Sequence, residues 1–123
     1  MPVSWRISEG IVFVESDEQA AFDDWQAAVA SALGSSAYRP GMGLLHDARR
    51  MERVPTLEEA RMRVWFVVVQ ARTHNVPRWA VVVGGSGGHA MARMAETLTD
   101  DRSVAFRVFT DLAEAEAWIR EPA

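Results

Sequence analysis

The sequence predicts an α/β fold, a mixed sheet with helices packed on it, in the order β-β-α-β-α-β-α-β-α. Three observations carry that prediction. Short extended apolar runs alternate with longer stretches of helical periodicity after an opening pair of strands. Trp79 to Val83 is a continuous apolar run, the pattern of a central parallel strand covered on both faces. The chain has 123 residues, 49% of them hydrophobic and 24% charged, which suits one domain over residues 1–123 with an ordinary core and no disorder.

Trp5-Arg6-Ile7-Ser8 and Ile11-Val12-Phe13-Val14 flank Glu9-Gly10, the pattern of a β-hairpin. Ser16 is expected to open the first helix, with Gln19 as its capping-box partner. Phe22, Trp25, Val29 and Ala32 then fall on one helical face, and Gly34-Ser35-Ser36 ends the helix. Met42 to Ala48 is a short buried strand followed by a charged connection, Arg49 to Val54.

Thr56 and Glu59 form a second capping box. Leu57, Ala60, Val64, Val68 and Ala71 make an inward stripe. The run Val64 to Val69 is β-branched and aromatic and suits a strand, but the cap and the segment length favour a helix. Asn75-Val76-Pro77 breaks the chain ahead of the strand at Trp79. Gly84 to Gly88 is a tight loop, and Ala90 to Leu98 reads as a helix. Val104 to Phe109 is the last strand. Thr110 or Asp111 caps the last helix, with Leu112, Ala115, Trp118 and Ile119 facing inward.

Composition excludes several classes of function. There is no cysteine, so neither a disulfide framework nor a thiolate metal site can form. His46, His74 and His89 lack metal-ligand spacing, and no cofactor is expected. The net charge of −4 gives no broad attraction for nucleic acid. The first residues lack the pattern of a signal peptide, and no apolar run reaches membrane-spanning length, so a cytoplasmic protein is expected.

The run Arg78 to Val83, Ala92-Arg93-Met94, Phe106 to Phe109 and Ala115 to Ile119, together with the order of elements over nearly the whole chain, resembles the bacterial STAS/SEC14-like, SpoIIAA-like family of largely uncharacterised proteins. The resemblance implies a SpoIIAA-like (STAS-like) fold and a regulatory, non-catalytic role. The better-known STAS members are anti-sigma-factor antagonists switched by phosphorylation of a Ser at a helix start. The matching stretch here, Ala48 to Arg53, has no Ser or Thr, and Thr56 is the helix cap. The SEC14 side of the family implies an apolar ligand or a peripheral lipid contact.

Four sites follow from the residues themselves. Arg49, Arg50 and Arg53 follow one strand and Gly84 to Gly88 follows another, so both segments are expected at the strand-end edge of the sheet, where an anion could be gripped by Arg49, Arg53, Gly85, Ser86, Gly87 and His89. Gly85, Gly87 and Ala90 also match the G-x-G-x-x-A of a nucleotide or phosphate binder, with Asp111 in the place of a ribose-binding acid. The simpler reading is a tight turn, because too little chain follows for a dinucleotide fold. Ser86 lies in a G-x-S-x-G spelling, but His89 is too close in sequence for a triad, so the sequence reads as no enzyme and a hydrolase is the last alternative. Finally, Trp65, Phe66 and Val69 are surplus to the inward stripe of their helix and are expected to face a partner, as a homodimer or a regulatory complex.

Overall fold

The structure is a computed structural model that describes residues 2–51, 56–84, 93 and 104–122. Among the described residues five strands form one sheet in the order β1-β2-β3-β4-β5. They are β1 (Val3–Ser8), β2 (Ile11–Ser16), β3 (Gly43–Ala48), β4 (Arg78–Val83) and β5 (Ala105–Phe109). β1 pairs antiparallel with β2, and β2 through β5 pair in parallel. Three helices are described: α1 (Phe22–Leu33), α2 (Leu57–His74) and α3 (Leu112–Arg120). The helix expected over residues 90–98 lies outside the described residues, apart from Arg93.

The hairpin closes through Glu9 and Gly10, both at positive φ (49° and 82°). Two such residues in a two-residue loop match the right-handed twist of the strands they join.

Side-chain alternation splits the sheet into two faces. Val12 and Val14 of β2, Leu44 and His46 of β3, and Trp79 of β4 point toward α1 and α2. Ile11 of β2, Leu45 of β3, Ala80 and Val82 of β4, and Phe109 of β5 point toward α3. β3 is therefore covered on both sides, as its unbroken apolar sequence requires. Gly43 lets α3 approach closely, because a Cβ there would run into the side chain of Ile119.

The helices begin where their caps allow. Thr56 Oγ1 accepts from the Glu59 N–H (3.2 Å), and Asp111 Oδ1 accepts from the Glu114 N–H (2.9 Å). α2 ends at Asn75, which adopts the left-handed conformation. The β-branched run at 64–69 is thus helical: the cap, the stop signal and burial against the sheet outweigh local strand preference.

The opening of α1 departs from expectation. Ser16 does not cap it; it is the last residue of β2 and is fully buried. The alternation of Val12 and Val14 continues through Ser16 onto the helix-covered face. The Asp17 carboxylate instead accepts from the Gln19 N–H (2.8 Å), closing a turn. The helix starts after Ala21, whose N–H donates to the Asp24 carboxylate (3.0 Å).

The inward stripe of α2 is also rotated from the one read in the sequence. Ala60, Phe66, Val67 and Ala71 are buried, Val64 and Val68 are half-buried, and Leu57 is exposed.

Candidate functional site

Three places in the described residues gather chemically interesting side chains. The first is the strand-end edge. The C-terminal ends of β3 and β4 lie side by side, with Ala48 opposite Val83. A Cβ on Gly84 would fall 2.7 Å from the Arg49 carbonyl oxygen, so the two connections touch through their backbones. The expected juxtaposition is therefore real for Arg49 and Gly84.

The described cations at this edge, Arg49 and Arg50, already have partners. Arg49 grips Asp47 in a bidentate pair, Nε to Oδ1 at 2.9 Å and Nη2 to Oδ2 at 2.8 Å, and the Arg49 N–H also donates to Oδ1. Partial burial pulls the Asp47 carboxyl upward, but the hydrogen bonds and charge of Arg49 outweigh it and hold the group below the ordinary carboxylate value. Arg50 donates to Glu18 at 2.9 Å. Asp111, the expected ribose-binding acid, is engaged as the cap of α3. The parallel strands run β2 to β5 without reversing order, so they offer no switch-point crevice of the kind that holds dinucleotides. Arg53, Gly85, Ser86, Gly87 and His89 lie outside the described residues.

The second place is a buried polar pair that sequence reasoning missed. Ser16 Oγ and His46 Nε2 are 2.8 Å apart across β2 and β3. Trp25 of α1 stacks on the imidazole at 5.7 Å between ring centroids. Arg63 of α2 lies over the Trp25 ring at 5.3 Å and over the Phe22 ring at 5.4 Å. Burial first, and the Arg63 charge second, push the His46 pKa down to about 3, against a weaker upward pull from Asp47. A Ser and a His within hydrogen-bond reach form the core of an activated nucleophile. Here the serine is fully buried and the histidine nearly so, which denies a substrate access, and an imidazole so hard to protonate is a weak base. The pair joins two strands and seats α1. His46 lies on the α1-covered face of β3, and its neighbour Asp47 points to the opposite face. The legible signal was the period-two alternation that puts Ser16 with Val12 and Val14.

The third place is the outer face of α1 and α2. Phe22, Gln26, Glu58, Arg61, Met62 and Trp65 line an open hollow of about 300 Å³. Trp65 is 68% exposed, Met62 53% and Leu57 45%; among the described residues the one other large exposed hydrophobic is Trp5. Of the three residues expected to face a partner, Trp65 is displayed, Val69 is half-buried and Phe66 is in the core. The Phe66 ring meets Trp25 edge-on at 5.0 Å between centroids. The correction has a geometric cause: successive helical residues point about 100° apart. Seating Phe66 on Trp25 turns Trp65 outward. Met62, Glu58 and Arg61 share the outward face at helical spacing, a pattern obscured in the sequence by placing Leu57 inward.

Among the described residues no group of three or more His, Asp or Glu side chains is arranged to hold a metal ion. No helix among them is long and apolar enough to cross a membrane.

The layered sheet with its ordered parallel strands is that of a SpoIIAA-like α/β domain. It is similar to the crystal structure of an uncharacterized protein of the DUF3478 family with a SpoIIAA-like fold from Shewanella loihica PV-4, with a TM-score of 0.58 and 18% sequence identity over 95% of this chain and 91% of that one. No protein-family model matches the chain, and no curated protein matches it in sequence.

Proposed function

We propose that the chain is a non-catalytic, cytoplasmic interaction module that needs no cofactor and docks a protein through the outer face of α1 and α2. One observation carries this reading. Trp65, Met62 and Leu57 are exposed together on α2, and the first two line an open hollow with Phe22. Trp and Met are enriched where proteins meet, and a clustered apolar face in water is a cost that a partner removes. An anionic ligand at the strand-end edge is the competing reading, supported by the close approach of Gly84 to Arg49. The bidentate hold of Asp47 on Arg49 weakens it, because the guanidinium would have to leave that carboxylate to take up an anion.

The test is site-specific photocrosslinking in the native host. A photoreactive p-benzoylphenylalanine replaces Met62, with Ala117 on the exposed side of α3 as the control position. A discrete protein adduct from position 62 and none from position 117 is expected. Equal, diffuse labelling from both positions would remove the docking face.

A further inference from the structure

The occupant of that face can be narrowed, on the reading that the face is a docking surface. We infer that a second copy of this chain covers it, with the two α2 helices packed antiparallel about a two-fold axis and Glu58 of each chain paired to Arg61 of the partner subunit.

The inference rests on self-complementarity. A two-fold interface uses the same patch on both subunits, so that patch must carry both halves of every interaction. This one does. Trp65 is a protruding apolar knob, and beside it lies a hollow larger than an indole side chain. The same hollow is lined by one acid, Glu58, and one base, Arg61. Neither takes part in an ion pair among the described residues. Arg49, Arg50 and Arg120, by contrast, are paired within the chain. A partner of different sequence would call for no such balance of charge on one small patch.

Spacing supports the same geometry. Glu58, Arg61, Met62 and Trp65 stand at i, i+3, i+4 and i+7, a single seam along α2 of the kind that packs against another helix. An axis near the middle of that stretch places each Met62 against Arg61 of the partner subunit. Glu58 is then about 6 Å along the helix axis from Arg61 of the partner subunit, within reach of the two side chains. Trp65 of each chain enters the hollow of the other, beside Phe22 and Gln26.

Charge reversal tests this on the full chain, read by sedimentation and by light scattering after size exclusion. The wild-type protein is expected to be a dimer. E58R and R61E each oppose like charges twice across the axis and should each weaken the dimer roughly tenfold or more. Mixing E58R with R61E restores both pairs in one heterodimer, as does the double variant E58R/R61E in a homodimer. That reciprocal rescue requires both partners of each pair to come from this same patch. Trp65→Lys, at an exposed position, should give a folded monomer, with far-UV circular dichroism confirming the fold of every variant. A wild-type monomer at all concentrations, or a dimer indifferent to both reversals, overturns the inference. A position-62 adduct to a different protein or to lipid also overturns it. The first of these outcomes leaves the docking face standing, whereas loss of the position-62 adduct altogether removes that face itself.

Discussion

Acidifying the protein from about pH 7 to about pH 4.5 should lower its unfolding free energy by about 2.5 kcal/mol through one group, His46. In the native state burial and the Arg63 charge hold its pKa down to about 3, from an ordinary value of 6.5. A base whose native pKa lies below its unfolded pKa is neutral when folded and takes up a proton when unfolded anywhere between the two values. Stability is therefore full above the unfolded pKa and falls as the pH drops toward the native one, by about 1.4 kcal/mol per pH unit. Asp47 acts in the same direction but over a lower range, because its carboxyl is held below the ordinary carboxylate value. The window above about pH 4.5 thus separates the histidine from Asp47. Urea unfolding followed by tryptophan fluorescence, repeated across that window, gives the slope. The control is His46→Gln, which keeps a polar group near Ser16 and cannot titrate. A wild-type slope no steeper than that of His46→Gln would show that the imidazole is solvated in the native protein and that the burial argument is wrong.

Two further substitutions probe the scaffold. Ser16→Ala leaves His46 Nε2 without its 2.8 Å partner in a buried place and should cost about 1–3 kcal/mol in urea unfolding at neutral pH; a cost near zero would mean the pair is not made. Gly84→Ala puts a Cβ 2.7 Å from the Arg49 carbonyl, which is backbone and yields little, so a loss of about 1–3 kcal/mol is expected; an unchanged melting curve would place the two connections further apart.

Much of the fold was legible in the sequence because its signals are local. Glu9-Gly10 announces a turn through the conformations those residues tolerate. Thr56 and Asp111 announce helix starts because their oxygens reach an N–H three residues on. The apolar run of β4 announces a strand covered on both faces. Ser16 shows where local reading fails. Its side chain suits a cap, and the sequence alone does not show that a partner 30 residues away, His46, will face it across two strands.

The candidate site was legible only in outline. The surplus of apolar residues on α2 pointed to that helix, and Trp65 is displayed as expected. Phe66 went to the core instead, because Trp25 of a different helix provides an aromatic surface to meet it. That single packing choice fixes the rotation of α2 and turns Glu58, Arg61 and Met62 outward with Trp65. At the strand-end edge the sequence placed Arg49 and Gly84 together correctly, since both follow parallel strands. It could not show that Asp47 already occupies the guanidinium.

By itself, then, the sequence determined the α/β layering, the Glu9-Gly10 turn and the caps of α2 and α3, all of which depend on groups a few residues apart. Only the tertiary structure decided which face of α2 meets water, that Arg49 and Arg50 at the strand ends are paired, and where His46 finds its hydrogen bond. Those outcomes depend on contacts between distant segments, and such contacts are set by packing the whole core at once.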